Sequence, residues 1–134
     1  MKSTKIVTSF LTSNKKILIL KRSNTVRSMK GLWGGVSGKI EVGEEPLERA
    51  KTEILEEVGA THDEIKLLKS ADRMFVSSPK IQDRRWEIFP FLFHLRSEKI
   101  SLNWENTSYR WISPDEIYNY KTVPSLDEVL FKLL

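Results

Sequence analysis

Gly38-Lys39-Ile40-Glu41-Val42-Gly43-Glu44-Glu45-Pro46-Leu47-Glu48-Arg49-Ala50-Lys51-Thr52-Glu53-Ile54-Leu55-Glu56-Glu57-Val58-Gly59-Ala60 is a glycine-punctuated lead-in followed by one amphipathic helix. Pro46 suits the first helical position, where its missing N–H is no loss, and Gly59 suits the position just past the end. Between them Leu47, Ala50, Ile54 and Val58 recur at helical spacing and form one apolar stripe. Glu53, Glu56 and Glu57 stand at i, i+3 and i+4, so their side chains share a face beside that stripe. Three carboxylates so close repel one another unless cations neutralise them. Clustered hard oxygens suit Mg²⁺, or Mn²⁺, which keep several waters and bridge to substrate phosphates. On its own the triplet is equally compatible with an acidic helix end in solvent.

The wider spacing separates these readings. The segment resembles the Nudix box, G-x5-E-x7-R-E-U-x-E-E-x-G-U with U a bulky aliphatic residue, and Gly38, Glu44, Glu53, Ile54, Glu56, Glu57 and Gly59 match in register. Gly31-Leu32-Trp33-Gly34-Gly35-Val36-Ser37 is similar to the family's approach to the box. The resemblance implies an α/β fold, an α/β/α sandwich with a mixed β-sheet between helices, spanning residues 1–134 as one domain. It also implies hydrolysis of a nucleoside diphosphate linked to another moiety. Glu53, Glu56 and Glu57, with the Gly38 carbonyl, would hold Mg²⁺. Glu44 and Gly59 would support the junctions at either end of the helix. Two positions depart from the pattern: Thr52 replaces the arginine that steadies the box glutamates in the family, and Ala60 is small. Arg49, four residues before Glu53, is a candidate substitute cation; the plain alternative is a solvent-facing side chain.

Beyond the box, Asn103-Trp104-Glu105-Asn106-Thr107-Ser108-Tyr109-Arg110-Trp111-Ile112 is similar to a segment of several Nudix branches in which a glutamate is a further metal ligand or the water-activating base. Glu105 is the candidate, with Glu87 and Glu98 as rivals. The same segment tilts the substrate towards nucleoside tri- and polyphosphates. ADP-ribose or another nucleotide sugar is the alternative, as is a catalytically weak nucleotide-binding domain. Lys21, Arg22 and Arg27 are candidate phosphate ligands, though most such residues are simply solvated. Trp33, Phe75, Trp86 and Trp104 are candidate stacking surfaces, a role set against the commoner one of core packing. His62 and His94 have no partners at ligand spacing.

Around the box, Lys5–Leu11 and Lys16–Leu20 read as a hairpin turning at residues 12–15, and 65–77 and 85–95 as two longer strands about Ser77-Ser78-Pro79-Lys80. Pro90 argues for an edge or a bulge. Residues 109–112 read as a short strand, Ser113-Pro114 as a helix start, and 125–134 as a C-terminal helix packed by Leu126, Val129, Leu130 and Leu133.

Composition is that of a globular chain, 40% hydrophobic and 30% charged over 134 residues. The net charge is +4, yet nine of the 18 acidic residues fall between positions 41 and 64, leaving the remainder basic. A basic body around an acidic strip draws an anionic substrate to bound cations, although a solvated acidic helix on a basic protein has the same composition. It also keeps an RNA 5′ end open as a substrate, whereas generic nucleic-acid binding is the rival reading. The absence of cysteine excludes disulfides, thiolate nucleophiles and cysteine zinc sites. It also excludes the Nudix-fold isopentenyl diphosphate isomerase, whose chemistry uses a cysteine. With no apolar run of spanning length and a poor signal-peptide pattern, the expected location is cytoplasmic with no membrane partner. Many relatives form homodimers, and no residue here decides the matter.

Overall fold

A computed structural model describes residues 2–77 and 84–134. Its elements are β1 (Lys2–Ser13), β2 (Lys16–Arg22), β3 (Trp33–Gly34), β4 (Val36–Lys39), α1 (Pro46–Val58), β5 (Ile65–Ser70), β6 (Met74–Ser77), β7 (Arg84–Leu95), β8 (Asn106–Ile112) and α2 (Leu126–Lys132). Short 3-10 helices stand at His62–Glu64 and Pro114–Asn119. β1 and β7 run parallel at the centre of the sheet, from Lys2 opposite Arg84 to Thr12 opposite His94. β2, β4, β5, β6 and β8 join antiparallel, so the sheet is mixed, as expected.

Alternation along the strands builds two cores. Val7 and Leu11 of β1, Leu18 and Leu20 of β2, and Phe91, Phe93 and Leu95 of β7 face one side, where Ala50, Ile54 and Val58 of α1 close over them. Phe10, Ile17, Ile19, Ile88 and Leu92 face the other side, covered by Ile117 of the second 3-10 helix and by Leu126, Val129, Leu130 and Leu133. Successive strand residues point to opposite faces, so one sheet feeds both layers. The result is the α/β/α sandwich. The helix boundaries at Pro46 and Gly59 fall where the sequence puts them; Gly59 takes φ +78° and its N–H donates to the Leu55 carbonyl.

The glycine-rich segment before α1, for which the sequence named no element, contains two short strands, β3 and β4, the second pairing with β1 from Ile6 opposite Lys39 to Ser9 opposite Val36. Two expectations need correction. The stretch 65–77 is two strands, broken at Ala71-Asp72-Arg73. Pro90 lies in the central strand and not at an edge. Its carbonyl accepts from Ala71 N–H at 3.3 Å, so its missing N–H points to the side where β5 has ended opposite Phe91 and β6 begins opposite Ile88. Proline cannot donate to a ladder, and the break in the neighbouring strand coincides with the place where no donor is available. The turn expected at 77–80, including Pro79, lies outside the described residues apart from Ser77. Among the described residues no helix is long and apolar enough to cross a membrane.

Candidate active site

The inward stripe of α1 fixes the rotation of the helix, and that rotation brings Glu53 and Glu57 inside. Both are buried, while Glu56 is about half exposed. β4 passes beside the helix so closely that a Cβ at Gly38 would overlap the Glu53 carboxyl; only a hydrogen fits there. One carboxylate oxygen each of Glu53, Glu56 and Glu105 lies within 4.8 Å of the others. The structure therefore brings together a helix and the loop before β8, which are some fifty residues apart in the chain.

Arg49 steadies the helix side of this group. Its Nη2 is 3.0 Å from Glu53 Oε2 and 3.9 Å from Glu56 Oε1, and its Nη1 is 3.4 Å from Glu44 Oε2. Glu44 in turn accepts the Glu41 N–H at 2.7 Å, closing the turn that leads into α1. Thr52 takes no part: its hydroxyl donates to the Glu48 carbonyl of its own helix at 3.1 Å.

On the other side, Asn106 Nδ2 donates to Glu57 Oε1 at 3.1 Å, with both side chains buried. Asn103 Nδ2 donates to Glu105 Oε1 at 3.2 Å, and Asn103 Oδ1 accepts the Glu105 N–H at 3.1 Å. Neither asparagine stood out in the sequence. The only cue was position, one on each side of the glutamate and its tryptophan neighbour. Buried Glu57 Oε2 has no hydrogen-bond partner among the described residues. Burial pushes the Glu57 carboxyl well above the ordinary value of 4.5, and the nearby charge of Glu105 adds to it. Burial likewise raises Glu53, partly offset by Arg49. An unpartnered buried carboxylate oxygen, a group of hard oxygen donors and a glycine cradle that admits no side chain together fit a divalent cation of the Mg²⁺ type.

These shifts give the metal-free protein a defined pH dependence. A carboxyl raised above its unfolded value contributes stability that is complete below about pH 4.5 and is lost as pH rises through the folded value. The exposed Glu64 acts oppositely, since hydrogen bonds from Thr61 lower it, and its contribution is lost as pH falls through the lowered value. The melting temperature in EDTA is therefore expected to fall as pH rises from about 4.5 towards neutrality. Mg²⁺ should flatten that decline, and calorimetry showing a flat or rising curve from about pH 5 to 8 in EDTA would contradict the assignment.

A cavity of about 520 Å³ adjoins the carboxylates and shares Gly38 and Glu105 with them. Arg22, Arg27, Lys39 and Arg84 line it, with Trp86, Ile6 and Ile88 on the sheet and Val123, Pro124 and Leu126 opposite. Arg22 is held by its own loop, donating from Nε and Nη2 to the Ser28 carbonyl at 3.2 and 3.1 Å. Lys39 and Arg84 were not anticipated.

Other candidates lie elsewhere. Lys21 and Trp33 do not line this cavity: they pair across β2 and β3. The Trp33 ring packs edge-on to Tyr120 with centroids 5.3 Å apart. Phe75 is covered by the Arg85 guanidinium at 4.1 Å, and Trp104 is exposed. Glu87 is buried but bound to Arg73 at 2.6 Å, and Glu98 is exposed. His62 and His94 are exposed and outside the carboxylate group.

Comparison with known proteins adds the family context. A family model described as NUDIX domain matches residues 2–133. No curated protein sequence matches significantly. Among solved structures, a MutT protein from Methanosarcina mazei Go1 is similar at 21% identity and a TM-score of 0.80, over 96% of this chain and 91% of that one. A MutT NUDIX hydrolase from Burkholderia pseudomallei is similar at 21% identity and a TM-score of 0.73, over 100% of both chains. An Ap4A hydrolase of C. elegans, in a binary complex, is similar at 15% identity and a TM-score of 0.76, covering 98% and 94%.

Proposed function

The chain belongs to the Nudix family, and from that premise we propose that it is a Mg²⁺-dependent pyrophosphohydrolase of nucleoside tri- or polyphosphates. The observation that carries this reading is the junction of two features. A carboxylate group on Glu53, Glu56 and Glu105 opens onto a cavity lined, among the described residues, by four cationic side chains and a single carboxylate. A polyphosphate is the anion that uses both features, because its scissile part needs a divalent cation while its remaining phosphates pair with arginine.

Glu53, Glu56, Glu57 and Glu105, with the Gly38 carbonyl, would hold the ion. When bound, Mg²⁺ neutralises the diphosphate, acidifies water and stabilises charge on the leaving phosphate. Arg22 and Arg27 bind and orient phosphates beyond the bond that is cut, and Arg22 also ties down the loop that carries Arg27. Glu105, at the boundary between carboxylates and cavity, takes the proton of the attacking water at its carboxylate. Trp86 and the apolar wall of Val123 and Pro124 exclude water and seat the nucleoside.

The test is a nucleotide panel with Mg²⁺, scored for phosphate, pyrophosphate and nucleoside monophosphate. Nucleoside triphosphates or dinucleoside polyphosphates are expected to exceed ADP-ribose and UDP-sugars by at least about tenfold in kcat/KM, the discrimination given by one added charged hydrogen-bond pair. Preference for ADP-ribose, or nucleotide binding without any product, would refute the reading.

A further inference from the structure

Among the described residues, Glu57 and Glu105 have no cation within hydrogen-bonding distance of their carboxylates, and the side chains that hold them are neutral amides. Both amides come from one short turn. The Asn106 N–H points back to the Asn103 carbonyl at 3.5 Å, and the Glu105 carbonyl accepts the Ser23 N–H at 2.8 Å, pinning the turn to the end of β2. Asn103 grips Glu105 twice, through its main-chain N–H and its carboxylate. Asn106 reaches from the first residue of β8 across to α1.

We infer that Asn103 and Asn106 are the positioning residues of this site, the turn between them setting the carboxylates of Glu105 and Glu57 in one frame for a divalent cation. The chemistry favours amides here. A carboxylate bonded to arginine has part of its charge already neutralised and competes less well for a metal ion, whereas an amide N–H orients one oxygen and leaves the charge in place. Oε1 of Glu57 is held, while Oε2 has no hydrogen-bond partner among the described residues. The arrangement also divides the labour: Arg49 balances Glu44 in the turn before α1 and Glu53 and Glu56 on the helix, and the asparagine turn aligns the remaining two. Thr52, bonded to its own helix, supports none of these carboxylates.

This inference rests on the metal-dependent reading above, and the test separates the two. Asn103→Ala is expected to lower kcat by about 10- to 100-fold with KM nearly unchanged, as loss of a partner orienting a ligand does. In a Glu105→Ala background the same substitution should change kcat by less than about twofold, because the group through which it acts is gone while the main-chain N–H remains. Equal losses in both backgrounds would show a merely structural asparagine and overturn the inference. Asn103→Asp keeps an acceptor for the Glu105 N–H but replaces the donor with a charged oxygen facing Glu105, so it should fold normally and still lose turnover; wild-type kcat there would also overturn it. A second readout needs no turnover: Mn²⁺ binding followed by electron paramagnetic resonance should weaken about tenfold in Asn106→Ala, and unchanged affinity refutes the role of Asn106. A wild-type protein that neither binds Mn²⁺ nor hydrolyses nucleotides would refute the underlying reading instead.

Discussion

Glu57→Gln is expected to lower kcat with Mg²⁺ by about a thousandfold, the several kcal/mol that a correctly held ion supplies to a phosphoryl transition state. The same substitution should raise the melting temperature of the metal-free protein above about pH 6, because it removes a charge that burial disfavours. Glutamine keeps an oxygen able to accept the Asn106 amide, so the packing of α1 on β8 is preserved. The two effects have opposite signs, which makes the prediction hard to satisfy by general damage to the fold. The Mg²⁺-induced rise in melting temperature should shrink with the loss of a ligand. Near-normal turnover with Mg²⁺ would remove Glu57 from the metal site.

Arg49→Ala tests what takes the place of the family arginine. The guanidinium touches Glu44, Glu53 and Glu56 and is itself largely buried. Removing it leaves three carboxylates facing one another, one of them buried. The expected cost is about 2 kcal/mol, below the 3–5 typical of a fully buried pair because Glu44 and Glu56 reach solvent. Turnover should fall about tenfold as Glu53 loses its fixed orientation. Mg²⁺ should restore part of the lost stability, since the ion replaces the missing positive charge. Arg49→Lys should restore little activity, because a single ammonium cannot span acceptors at 3.0, 3.4 and 3.9 Å as a fork does. Unchanged turnover and Mn²⁺ affinity in Arg49→Ala would leave Arg49 an ordinary helix residue.

Arg49 was legible because helical periodicity is a local rule. A residue four before Glu53 rises on the same side, so spacing made Arg49 a candidate partner, and the structure shows the ion pair at 3.0 Å. Asn106 was not legible in that way, since its partner Glu57 is 49 residues distant and no local rule joins the end of a helix to the start of β8. The arginines show the same division. Arg22 and Arg27 stand just before the glycine-rich segment in sequence, whereas Arg84 reaches the cavity only because β7 lies parallel to β1. Trp33 stands between them in the chain, but its ring turns towards Tyr120 and the second core. Pro90 was misjudged because a missing donor signals an unpaired position, and in this fold that position is an internal gap between β5 and β6.

By itself the sequence determined the helix from Pro46 to Val58 with Gly59 as its stop, its apolar stripe, the shared face of its glutamates and the family to which the chain belongs. Those features depend on spacing within one element, and spacing within an element is written in the chain. Only the tertiary structure decided that Glu53 and Glu57 are buried, that Glu105 joins Glu53 and Glu56, and that two asparagines hold the far side of the site. These depend on which strands lie side by side and on how deeply α1 settles onto them. That outcome is set by the packing of two whole cores, which no short stretch of residues contains.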